Sequence, residues 1–271
     1  MPNGFEHICY KRNFLQRVIA RLDFLAPFPR ANEPLPTELT QEILRRFPIA
    51  EPKQAFAQEF EVAVATQELK THRTEFTEWR FFGRNREKQL TLQPGVLGGK
   101  QFTLQHGFLW IEVKQYERYE TLREEFLAVC TAFFRSFPDA PQPSRLGLRY
   151  INVFERLGED MPLTDWSGFF HPSLLEAFKF APPEDCGMLS RVFHNMEFAF
   201  DECSLRFQFG MNNPDYPARM RRKSFVLDYD SYFQGAIDQS AIGDLLDRFH
   251  GKTQQYFERS IGDKTREVLN A

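Results

Sequence analysis

A chain of 271 residues, 42% hydrophobic and 26% charged, has the size and composition of one large globular domain or two fused lobes around a buried core. The net charge of −3 argues against a protein that coats nucleic acid by bulk attraction and leaves room for a local basic patch. Four cysteines without a CxxC spacing argue against a zinc knuckle or a redox motif.

So few cysteines in a long chain suit a reducing compartment. The first residues contain no apolar signal-like core, and no apolar run approaches about 18 residues. A soluble, cytoplasmic protein with no membrane partner is therefore expected. Thirty phenylalanines make the core bulky and dependent on ring placement.

In chain order, residues 14–26 (FLQRVIARLDFLA) alternate well enough to predict a strand, which the prolines of residues 27–36 end. Thr37 reads as the N-cap of a short helix that stops before Pro48. Residues 59–65 (EFEVAVA) alternate cleanly and predict a half-buried strand with Phe60, Val62 and Val64 on its inner face. Short alternating runs broken by Gly83, Asn85, Gly95, Gly98 and Gly99 predict an antiparallel meander. Residues 119–137 then carry Leu122, Phe126, Val129, Cys130, Phe133 and Phe137 at three- and four-residue steps, the stripe of a long amphipathic helix. Cys130 sits in that stripe as a small core residue.

Residues 145–152 (RLGLRYIN) predict a central strand. Leu146, Leu148, Tyr150 and Phe154 face one way, and Arg145, Gly147, Arg149 and Ile151 face the other. Two guanidinium groups on one strand face suit either cross-strand carboxylates or bidentate capture of an anion. Beyond an irregular proline-bearing segment, VFHNMEFAF and SLRFQFG predict a hairpin turning at Asp201-Glu202, with a phenylalanine-lined face. A loop follows, ending in Arg219, Met220, Arg221, Arg222 and Lys223. A strand with Phe225, Leu227 and Tyr229 inward and Asp228 and Asp230 outward comes next. One long helix over residues 240–269 closes the chain.

Familiar catalytic grammar is absent. PGVLGGKQ (residues 94–101) lacks the first glycine and the final serine or threonine of a phosphate loop, and it joins strands. Glu59 and Glu61 resemble an acidic metal-binding strand, but Ala63 stands where that motif needs lysine. His7, His72, His106, His171, His194 and His250 show no ligand spacing. His250 borders the last helix's apolar stripe, either as a hydrogen-bonded boundary histidine or as an acid–base group.

Several short motifs in order carry a resemblance: Leu35-Pro36, Phe47-Pro48, Trp79, Tyr119, RLGLRYIN, LDYD at residues 227–230, and His250…Phe257…Ile261. Together they resemble a sporadically distributed, uncharacterised family of bacterial proteins of about this length, over nearly the whole chain. RNFL at residues 12–15 departs from the asparagine-proline-leucine opening of that family. The resemblance implies no activity. The family's scattered occurrence implies mobile or defence-associated genes, in which a small accessory protein binds a partner.

The expected fold is α+β, with antiparallel sheet in two lobes (residues 1–157 and 158–271), each covered by a long helix. The expected function is non-catalytic: a binding or adaptor protein acting on another protein or a nucleic-acid complex, with no cofactor. Its candidate contacts are Arg145, Arg149, Arg219, Arg221, Arg222 and Lys223. The alternative is a metal-dependent hydrolase or nuclease acting on a phosphorylated substrate, with Asp228 and Asp230 as ligands and His250 as base. An apolar ligand cavity enclosed by a helix against a curved sheet is a third expectation.

Overall fold

The structure, a computed structural model, describes residues 10–27, 33–63, 68–97 and 103–271, with the backbone alone at residues 61–63, 68–70, 72, 97 and 103–105. Cys9, His7, the side chains of Glu61 and His72, and residues 98–101 of the rejected phosphate loop lie outside the described residues. In order, the elements are β1 (Leu15–Phe24), α1 (Thr37–Arg46), β2 (Ile49–Ala50), β3 (Lys53–Ala63), β4 (Glu68–Phe82), β5 (Lys88–Gln93), β6 (Val96–Leu97), β7 (Thr103–Gln105), β8 (Gly107–Val113), α2 (Tyr119–Ser136), β9 (Pro143–Glu155), α3 (Pro172–Leu175), β10 (Val192–Ala199), β11 (Ser204–Met211), β12 (Ser224–Gln234), α4 (Ile242–Ser260) and α5 (Asp263–Asn270). Among the described residues this is a mixed α and β protein with a large antiparallel sheet of ten strands, and β6 and β7 form a separate pair.

The chain divides into two compact units. The first comprises Met1–Val18, Arg149–Tyr232 and Asp247–Ala271, and the second comprises Ile19–Leu148 and Phe233–Leu246. The expected division at 157/158 differs from this one. Here the chain changes unit inside β9, between Leu148 and Arg149, because a strand pairs with spatial neighbours rather than with its neighbours in sequence.

In the second unit, β8, β5, β4 and β2 lie in that order and β3 pairs with β4. The predicted meander is present, with Leu90 opposite Ile111 and Phe81 opposite Leu90. Helix α2 buries Leu122, Phe126, Val129, Cys130 and Phe133, and burial pushes the Cys130 thiol far above its usual range. Helix α1 buries Leu39 and Ile43, but Thr37 is its first helical residue rather than its cap. The Pro36 carbonyl accepts from the Thr40 N–H, and no side chain caps that end.

Strand β3 corrects another expectation. Phe60 is 61% exposed, not half-buried. The inner face of this strand is the alanine side, where Ala57 packs with Phe76 and Val96, so period-two alternation turns Phe56 and Phe60 outward.

In the first unit, β10, β11, β12 and the Arg149–Glu155 part of β9 follow one another. The predicted hairpin is present with Phe198 opposite Leu205, and β11 sets Phe207 opposite Tyr229 on β12. Their rings stack 4.7 Å apart, interplanar angle 2°. Phe225 stacks on Phe170 at 4.1 Å and meets Trp166 edge-on at 5.3 Å. These rings are buried in a core shared with Phe154, Phe178 and Leu227, and each contributes about 2–3 kcal/mol of burial.

The closing helix is not continuous. It breaks between Ser260 and Asp263, where Ile261 bridges to Phe170 and the Gly262 N–H donates to the Phe169 carbonyl at 2.7 Å. A Cβ on Gly262 would lie 2.3 Å from the Gly168 oxygen, so backbone meets backbone where only glycine fits.

Candidate functional site

The residues that sequence reasoning singled out have three different fates. Arg145, in the second unit, folds back over its own strand. A Cβ at Gly147 would lie 2.7 Å from Arg145 Nη1, so the guanidinium itself fills the gap beside that glycine. Its Nη1 is 3.5 Å from Asp23 Oδ2, a carboxylate that also binds Arg21 at 2.6 Å.

Arg149, in the first unit, is held in a two-point grip. Its Nε donates to Asp228 Oδ1 at 2.8 Å and its Nη2 to Oδ2 at 2.6 Å. Asp228 is buried, not outward, and the bond raises the Arg149 pKa above even its usual value. The face bearing Arg149 continues through Asp230 to Arg206, which sits opposite Asp230 and donates to Glu197 at 2.6 Å.

This arrangement does not assemble the metal-dependent alternative. The Asp228 carboxylate is engaged by Arg149, and His250 Nδ1 lies 2.9 Å from the Tyr150 hydroxyl, which makes it a hydrogen-bonded boundary histidine. Among the described residues no group of three His, Cys, Asp or Glu side chains is placed to hold a metal ion.

The loop of residues 212–223, between β11 and β12, is built differently. Asn213 is buried at its base, and its Nδ2 donates to the Ser190 carbonyl at 2.9 Å and the Ala218 carbonyl at 2.7 Å. Its Oδ1 accepts from the Asp215 N–H at 3.1 Å, so one amide side chain closes the loop on itself. Met220 is a buried anchor, and its N–H donates to the Leu189 carbonyl at 2.8 Å.

Lys223 stands apart from the other cations of the run. It is 8% exposed, its Nζ donates to the Gly158 carbonyl at 2.9 Å, and it lies 5.0 Å over the Trp166 ring. Burial draws its pKa below the usual lysine range, against the opposing pull of Asp165 and Asp160.

Between these anchors Arg219, Arg221 and Arg222 are exposed, and none forms an ion pair with another described residue. Tyr216, 53% exposed, stands on the same loop with the Arg191 guanidinium 4.5 Å over its ring. The loop is thus a braced frame projecting three unengaged guanidinium groups beside an aromatic ring.

Sequence reasoning raised a ligand cavity under a helix but placed none. In the first unit a hollow of about 560 Å³ opens at the break between α4 and α5. Its buried floor includes Phe207, Ser260, Ile261 and Glu258, and its exposed rim includes His171, Arg259 and Asp263. Both Glu258 oxygens accept from the Tyr10 hydroxyl, at 2.8 and 2.9 Å, and Arg266 Nη2 lies 3.2 Å from Oε2. The only signal in the sequence was Gly262, which marks where the helix breaks.

No helix among the described residues is long and apolar enough to cross a membrane. No protein-family profile matches the chain, and no curated protein or solved structure matches it.

Proposed function

We propose that this chain is a non-catalytic binding protein that engages an acidic surface of another protein through the loop of residues 212–223, acting in the cytoplasm. In this reading the units are two lobes, each covered by one long helix, α2 in one and α4 in the other. The observation that carries the proposal is the unequal treatment of the cations. Arg145, Arg149, Arg206 and Lys223 have partners within the fold, whereas Arg219, Arg221 and Arg222 stand exposed beside Tyr216 on a loop braced by Asn213 and Met220.

Arginine and tyrosine are the residue types that most often anchor protein interfaces, and a braced loop lowers the entropy cost of ordering them. A protein partner is favoured over nucleic acid because the chain as a whole is acidic, at −3. A defence or mobile-element setting is part of the proposal and rests on the family resemblance.

The test is crosslinking with the full chain as bait and nuclease-treated lysate as prey, beside the R219S/R221S/R222S variant. The reading expects a protein crosslinked to residues 212–223, reduced about tenfold in the variant and weakened by salt. Equal capture by the variant, or loss of all capture on nuclease treatment, would contradict it.

A further inference from the structure

We propose that the hollow at the α4–α5 break binds a small zwitterion with an apolar body, chemically a free amino acid with an apolar or aromatic side chain. The inference starts from the charges that line the hollow. Glu258 and Asp263 are negative and Arg259 and Arg266 are positive, so the lining is neutral as a whole and does not select a ligand of net charge. Within that balance, Glu258 and Arg266 are matched to each other at 3.2 Å.

Arg266 is occupied further, donating from Nη1 to the Ile261 carbonyl at 3.0 Å and from Nη2 to the Glu258 carbonyl at 2.5 Å, where it caps the end of α4. The two rim charges, Arg259 and Asp263, are exposed, and neither forms an ion pair with another described residue. The rim therefore presents one cation and one anion that leave each other unneutralised. A ligand carrying both an ammonium and a carboxylate answers both.

His171 adds a donor to the same rim. Its Nδ1 accepts from the Ser173 N–H at 3.3 Å, which leaves the proton of the neutral ring on Nε2. Arg259 with the His171 N–H forms the carboxylate side, and Asp263 forms the ammonium side. Phe198, Phe207, Met196 and Leu174 line the apolar part of the hollow, and Phe198 and Tyr256 rings lie 5.0 Å apart. Polar groups beside an apolar patch suit a ligand that is charged at one end and apolar at the other. The space exceeds a single side chain, so larger apolar bodies are preferred to small ones.

The test titrates the full chain with L-phenylalanine, L-leucine, glycine, N-acetyl-phenylalanine and phenethylamine, each up to about 20 mM, followed by NMR chemical shifts. N-acetyl-phenylalanine stands for a peptide C-terminus and phenethylamine for a simple amine, so the series separates a free amino acid from either source. The expected result is saturable binding of phenylalanine and leucine, with both single-charge analogues and glycine weaker by roughly tenfold or more, the loss for one charge-assisted contact or for the apolar body. Arg259→Met and Asp263→Asn should each weaken phenylalanine by a similar factor, in proteins whose spectra show the wild-type fold. No saturable binding of phenylalanine, equal binding of the analogues, or unchanged binding in both variants would overturn the proposal.

Discussion

Arg149 on β9 and Arg221 in the loop before β12 belong to the same unit and carry the same side chain, yet the fold uses them oppositely. Strand pairing brings Arg149 against Asp228, a carboxylate whose side chain is 7% exposed, and the planar guanidinium meets both oxygens. Arg221 follows Met220, whose buried side chain fixes the loop and turns its neighbours to solvent. A charge in a strand acquires whatever the neighbouring strand places opposite it. A charge in a braced loop acquires nothing unless another molecule brings it. Lys223 shows the limit of that rule, because the end of the same loop turns inward and its ammonium finds the Gly158 carbonyl.

Several substitutions would break or sharpen this contrast. The largest effect is expected from Asp228→Ala, which leaves Arg149 without its partner. Fully buried pairs lose about 3–5 kcal/mol when broken, but the Arg149 side chain is 40% exposed and keeps water, so about 2 kcal/mol is expected in urea unfolding. Arg149→Met in the Asp228→Ala background should recover part of that loss, since the orphan cation is then gone.

Lys223→Met comes next. It keeps an apolar stem against Trp166 and removes the donor to Gly158, for a loss of about 1 kcal/mol in the same measurement. A smaller, pH-dependent effect belongs to Asp165, which faces Lys223. The Ser167 backbone and side chain hold its carboxyl below the usual range. A depressed folded pKa contributes stability above the unfolded value near about 4, and that contribution is lost as pH falls through the folded value. The stability difference between wild type and Asp165→Asn should therefore shrink below about pH 4, the unfolded value, and be lost as pH falls through the lowered folded value. R219S/R221S/R222S is expected to change stability by no more than about 0.5 kcal/mol, because those side chains are exposed and form no ion pair with another described residue.

Periodicity was a good guide wherever burial alone decided the structure. The α2 stripe, the β10–β11 hairpin and the inward set Phe225, Leu227 and Tyr229 all stand where the spacing of apolar residues puts them. It failed where a long-range neighbour decided. The alternation of residues 59–65 is real, but which face is covered depends on Val96, and Val96 covers the alanine side. The terminal helix reads as continuous because its apolar stripe is continuous. What breaks it is the approach of Gly262 to Gly168, a contact across about ninety residues that no local pattern encodes.

The site was legible in the same partial way. The basic run was visible in the sequence, but the sorting of its members into anchors and projecting cations was not. The sequence allows Arg149 either a paired carboxylate or an anion clamp, and the adjacency of β9 to β12 that gives it Asp228 lies outside local patterns. The hollow at the α4–α5 break left no sequence signal beyond a single glycine, because its lining comes from four separated stretches of chain.

The contrast between the engaged and the projecting arginines can be read directly by chemical modification. Brief treatment of the native chain with hydroxyphenylglyoxal, followed by peptide mapping, compares Arg149 with Arg219, Arg221 and Arg222 in one experiment. The three loop residues should react fast and Arg149 slowly, and Asp228→Asn should raise the rate at Arg149 while leaving the loop rates unchanged. Arg149 reacting as fast as the loop arginines in the native chain would contradict the account.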